Sequence, residues 1–164
     1  MRLIKPSPGE LADRQSILEL KIDYGLSEIH TQETVDRGKT RLRSLMRKVV
    51  SEPTKINIIP FKEELEAIIQ YTTDKWVPGI TDDENKVDEY DRLYEELSEV
   101  NGNLWKLEDQ ARILRAAPDK FEAAAAIRAA EVLFAINSQN DQRAELVRKI
   151  NSLWGINHQE KLYS

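Results

Sequence analysis

The residues whose types could do chemistry here are polar side chains that stand on or beside faces of helices that should be dry. Between Asp83 and Arg115 the apolar residues Tyr90, Leu93, Leu97, Val100, Leu104, Leu107, Ala111 and Leu114 recur in steps of three and four, the spacing of one face of a packed helix. Glu108 falls inside that seam, and Asn101 and Arg112 flank it beside Trp105. In the last long segment the stripe Ala125, Val132, Ile136, Leu146, Ile150 and Leu153 is interrupted by Gln139 and Arg143, with Asn140 on its flank. A charge facing a core costs several kcal/mol unless it is paired and hydrogen-bonded. Three readings follow. The charges form a structural pair that fixes helix register; or they line a pocket between helices, where Lys21 and Arg143 would hold a phosphate or carboxylate and Glu108 would act as general base; or the helix end lies outside the bundle and Glu108 is simply wet.

Geometry constrains the pairing. If the two long helices are antiparallel and turn at Pro118, Glu108 and Arg143 are offset by over roughly 20 Å at 1.5 Å rise per residue. Asn101 is then the better-placed neighbour for Arg143, and Arg14, Lys21 or Glu19 of the first helix would complete the set. The expected cluster is Glu19, Lys21, Asn101, Glu108, Gln139 and Arg143. Its candidate ligand-binding residues are Lys21, Asn101, Glu108, Arg112, Asn140 and Arg143.

Other chemistries are poorly supported. Glu95-Glu96-x-x-Glu99 matches the first half of the E-E-x-x-E pattern by which helical nucleoside-triphosphate pyrophosphatases hold magnesium, and clustered carboxylates suit hard cations. The second half is missing, because Glu122 is followed at the required spacing by Ala125 and Glu131 by Phe134; ordinary solvated carboxylates are the expectation. His30 and His158 lack the preceding carboxylate of di-iron bundles. No Gly-rich phosphate loop or G-x-S-x-G elbow occurs. The chain has no cysteine, which excludes disulfides, thiol catalysis and cysteine-based zinc sites. No catalytic residue, metal or cofactor is assigned, and whether the chain is an enzyme stays open.

At 164 residues with 32% charged and 40% hydrophobic composition, the chain reads as one soluble globular domain spanning 1–164. A net charge of −5 argues against broad nucleic-acid binding; the one basic run, Lys39–Lys48, is read as a solvated helix face. No apolar run reaches the roughly twenty residues that span a bilayer, and MRLIKPSPGE lacks a signal-like apolar core. A cytoplasmic location is expected.

The elements that must position these residues are helices. Ser7, Pro8 and Glu10 make a capping box ahead of a helix with Leu11, Leu18, Ile22 and Ile29 on one face, which Gly25 either breaks or brings close to a neighbour. Residues 28–51 carry a weak apolar pattern that includes Gly38, and 52–60 is a proline-bounded connector. A helix over Phe61–Trp76 stops at Val77-Pro78-Gly79. Thr81 with Glu84 and Asp119 with Glu122 are two further capping boxes, opening long helices over about 82–116 and 120–153, the second closed by Gly155. The fold class is all-α, an antiparallel bundle of four to five helices.

SPGELADRQSILELKI, VNGNLWKLEDQARIL and NSQNDQRAELVRKINSLWG with a terminal EKLYS resemble a family of small bacterial and phage domains of unknown function. Its members share S-P-G-E-L-x-D, then I-L-E-I-K, V-N-x-x-L-W-x-x-E-D and N-D-x-R-A-x-L. Residues 26–79 depart from that pattern. The resemblance implies no activity or cofactor; some members stand in or beside glycosyltransferase and surface-polysaccharide proteins. Its polar positions fall here on Ser7, Glu10, Asp13, Glu19, Lys21, Asn101, Trp105, Glu108, Asp109, Asn140, Asp141, Arg143, Lys149 and Asn151. The expected function is an accessory or interaction protein, self-associating or bound to a protein partner, with the polar cluster as architecture. The alternative is a protein or enzyme that binds a small anionic ligand, such as a nucleotide or sugar phosphate, through the same residues.

Overall fold

A computed structural model of the chain describes residues 5–30 and 58–156, the side chains of 26–30 excepted. The expectations for the basic run 39–48, the connector 52–57, His158, the side chain of His30 and the terminal EKLYS lie outside what is described. Four α-helices and one short 3₁₀ turn make up the described chain, with no strand among the described residues. They are α1 (Pro8–His30), α2 (Ile59–Lys75), the 3₁₀ turn Val77–Gly79, α3 (Glu84–Ala116) and α4 (Ala123–Ser152). The all-α bundle is as expected.

Local chemistry explains most boundaries. The Ser7 amide donates to Glu10 Oε2 at 3.0 Å and the Glu10 amide to Ser7 Oγ at 3.3 Å, a reciprocal capping box. Helix α1 then runs unbroken through Gly25, which is buried. Helix α2 begins two residues earlier than its apolar spacing suggests, since Pro60 is suited to a first turn. The expected Thr81 cap is not the one used: the Thr81 and Asp83 amides are consumed by the turn, donating to Val77 O and Ile80 O, and Asp83 caps α3 by accepting from the Lys86 amide. The Asp119–Glu122 box does not form either. Two successive turns occupy 117–122, the Asp119 carboxylate faces Arg128 at 3.8 Å, and α4 starts at Ala123. Helix α4 closes in a Schellman motif, with the Ile156 amide donating to Asn151 O, the Gly155 amide to Ser152 O, and Gly155 at φ +70°.

The central element is α1, not the long helix around which the sequence pattern is built. Leu11, Leu18 and Ile22 of α1 pack against Ile58, Leu65 and Ile68 on the α2 side. The opposite side of α1 meets the antiparallel hairpin of α3 and α4, where Ala12 joins Leu93, Leu97, Val100, Leu104, Leu146 and Ile150. Helix α1 thus lies between α2 and the hairpin. Each fully buried Leu or Ile contributes about 1.5–3 kcal/mol, so these two clusters account for the cohesion of the three layers. Burial fades along the hairpin: Leu93, Leu97, Val100 and Leu104 are buried, whereas Leu107, Ala111 and Leu114 are half-exposed and Ile113 is 70% exposed.

Candidate functional site

The face of α1 that meets the hairpin is built of small residues. Gly9, Ala12 and Ser16, spaced by three and four, are all buried, and they let the helices approach closely. A Cβ on Gly9 would lie 2.4 Å from the Val147 carbonyl oxygen and 2.9 Å from Asn151 Oδ1. The Gly9 amide instead donates to Asn151 Oδ1 at 2.8 Å, which answers one of the orphan donors at the start of α1.

One turn further on, that approach places Asp13 between the arms of the hairpin. Arg143 of α4 forks onto its carboxylate, Nε donating to Oδ1 at 2.7 Å and Nη2 to Oδ2 at 2.5 Å. Asn101 of α3 donates to the same Oδ1 at 3.0 Å and to Ser16 Oγ at 2.8 Å, and Ser16 in turn donates to the Asp13 carbonyl at 2.9 Å. The Arg143 pKa is raised, first by the hydrogen bond to Asp13 and then by the nearby charges of Asp13 and Glu108. A second polar contact lies on the same side of α1, where Tyr94 Oη donates to Glu19 Oε2 at 2.9 Å and Gln15 Nε2 to Glu19 Oε1 at 3.1 Å. Burial, then neighbouring acidic charge, pushes the Tyr90 phenol up to about 12, and burial, then Glu19, raises Tyr94 as well.

Of the six candidate ligand residues, the structure brings Asn101 and Arg143 together and disperses the rest. Glu108 is exposed. The wet-end reading fits that exposure, and the charge of Glu108 adds only the smallest of the upward influences on Arg143. Lys21 faces the α2 side, its ammonium 5.3 Å from the Phe61 ring centroid. Arg112 is exposed and pairs with Asp109 on its own helix, and Asn140 is exposed. Gln139 is half-buried and donates to Gln142 at 3.2 Å. Periodicity missed Asp13, the hub of the cluster, since it falls on neither apolar face. Two signals point to it instead: Asp13 is one of the polar positions of the family resemblance, and it borders the small-residue series Gly9, Ala12, Ser16.

Two openings flank the hairpin. A groove of about 520 Å³ is lined by Glu96, Glu99, Asn103, Gln139, Asp141 and Glu145 among others, and is acidic. Glu96 is engaged by Arg92 and Glu145 by Arg148, and no group of three or more metal-ligating side chains suited to a metal ion occurs among the described residues. A second groove of about 360 Å³ lies at the free end of the hairpin, lined mainly by the apolar residues Ala111, Leu114, Phe121, Ala125, Leu133 and Ile136, together with Arg115 and Lys120. No described helix is long and apolar enough to cross a membrane. No family model, curated protein or solved structure matches this chain.

Proposed function

We propose that this chain is a non-enzymatic interaction protein: a three-layer helical body, held in register by Asp13, that presents the free end of its α3–α4 hairpin to another protein surface. The observation that carries this reading is the exposure of Ile127 (61%), Leu133 (57%) and Phe134 (72%) on the first three turns of α4. On the same turns Ala125 is buried and lines a groove with Ala111 and Leu114 of α3. A helix apolar on all sides is normally covered on all sides, and large exposed apolar patches mark interaction surfaces. The resemblance to small bacterial and phage domains, which brings no catalytic residue with it, agrees with an accessory role.

The rival reading, an anion site at Arg143, has less support. Its guanidinium is already engaged by the Asp13 carboxylate at two nitrogens, and neither Lys21 nor Arg112 converges on it.

A photocrosslinking side chain at Leu133 tests the proposal, with Glu95 on the outer face of α3 as control. The expected result is a discrete protein adduct from position 133 in the native cell, none from 95, and a flat thermal-shift screen against nucleotides, nucleotide sugars, sugar phosphates and divalent cations. A ligand that stabilises the wild type and fails to stabilise Arg143→Ala would overturn it in favour of the rival.

A further inference from the structure

Resting on that reading, we infer that the surface docked on the hairpin is a second copy of this chain, α4 pairing with α4 in an antiparallel, two-fold arrangement. At about 100° per residue, Ala123, Ala126, Ile127, Ala130 and Phe134 fall on one stripe, with Leu133 at its edge, where it also lines the groove that Ala125 and Ile136 form with Ala111 and Leu114 of α3. All of the stripe, Leu133 included, is exposed. The only charged residues between Ala123 and Phe134 are Arg128 and Glu131; Arg128 is turned towards Asp119, and Glu131 borders the stripe.

The stripe is self-complementary in size. Small residues let helix axes approach, and a two-fold contact repeats each pairing twice. An antiparallel register that sets Phe134 over Ala123 of the other copy also sets Ile127 over Ala130, so each large side chain meets an alanine. The area is adequate as well. Phe121 at the turn is 90% exposed and Phe134 72%; at roughly 150–250 Å² per aromatic side chain, the face offers on the order of 600 Å² per chain. Two copies would bury about 1,200 Å², the lower edge of specific interfaces.

The experiment is sedimentation of the full chain over a concentration series, beside Phe134→Glu and a crosslinking pair. The chain lacks cysteine, so Ala126→Cys and Glu131→Cys each introduce a unique thiol, at positions that face each other in this register. The expected result is a wild-type dimer at tens of micromolar and a dissociation constant raised at least about a hundredfold by Phe134→Glu. That variant should keep its helical circular dichroism. Mixing the two thiol variants under oxidation should give the mixed disulfide in preference to either homodimeric one. A dimer unmoved by Phe134→Glu, or homodimeric disulfides that dominate, would overturn the inference. So would a wild-type monomer on the order of 100 μM, far above the dissociation constant of a functional contact. A monomer that still gives the adduct from position 133 overturns self-pairing alone; a monomer with no adduct overturns the interaction reading too.

Discussion

Asn101 and Arg143 stand on opposite arms of the hairpin and donate to one carboxylate oxygen, Asp13 Oδ1, at 3.0 and 2.7 Å. One side chain of α1 therefore joins α1, α3 and α4. Arg143→Ala should destabilise the fold by about 2 kcal/mol, less than the 3–5 kcal/mol for breaking a fully buried pair, because the arginine side chain is 34% exposed and the aspartate 15%. In a chain of this size that is a fall of about 4–8 °C in melting temperature. A double-mutant cycle with Asp13→Ala measures the coupling; additive losses would show the pair to be incidental.

Two glycines should respond to alanine with opposite signs. Gly9→Ala drives a methyl into the Val147 carbonyl, a backbone atom that cannot swing away, and should cost at least about 2 kcal/mol. Gly102 sits in the interior of α3 with Leu20 Cδ2 at 4.0 Å as its nearest neighbour, so Gly102→Ala should stabilise by about 0.5–1 kcal/mol through helix propensity and a less free unfolded chain. Urea denaturation of both variants checks the contrast.

Alkali should destabilise the protein through two half-buried tyrosines. The Tyr90 phenol rises from an ordinary 10.0 to about 12, and Tyr94 is raised in the same direction. Between pH 10 and 12 the folded chain keeps protons that the unfolded chain has lost, so stability is intact below about pH 10 and falls as pH rises through that window. Tyrosinate absorbance should reveal a late-titrating fraction, and the pH dependence of stability should flatten in the double variant Tyr90→Phe, Tyr94→Phe.

The two ends of the hairpin should exchange amide hydrogens at different rates. Around Leu93, Leu97, Leu146 and Ile150 the helices are clamped by α1, whereas residues 108–136 include the exposed Ile113, Phe121, Ile127 and Phe134. Local opening follows buried contact density, so peptides from the free end should exchange first in monomeric protein. Uniform protection along α3 and α4 would contradict this gradient.

The helical class, the Ser7–Glu10 cap, the Gly155 stop and the faces Leu11, Leu18, Ile22 and Leu93, Leu97, Val100, Leu104 were legible in the residues, because they depend on contacts within a few positions or on a 3.6-residue period. The starts of α3 and α4 were misread for a local reason: more than one residue could cap, and the turn geometry chose Asp83 over Thr81 and left Asp119 outside α4.

The cluster shows what a single chain pattern withholds. Polar residues on the seams marked Asn101 and Arg143 as needing partners, but the partner, Asp13, is 88 and 130 positions away. No periodicity encodes a contact of that separation. It arises because Gly9, Ala12 and Ser16 allow α1 to lie close against the hairpin. The fate of Glu108 was equally a matter of tertiary structure: it occupies a seam position identical in pattern to Leu97 or Leu104, yet those are buried and it is exposed. Sequence periodicity determines which face of a helix is apolar; how far along that face another element reaches is decided only when the elements pack.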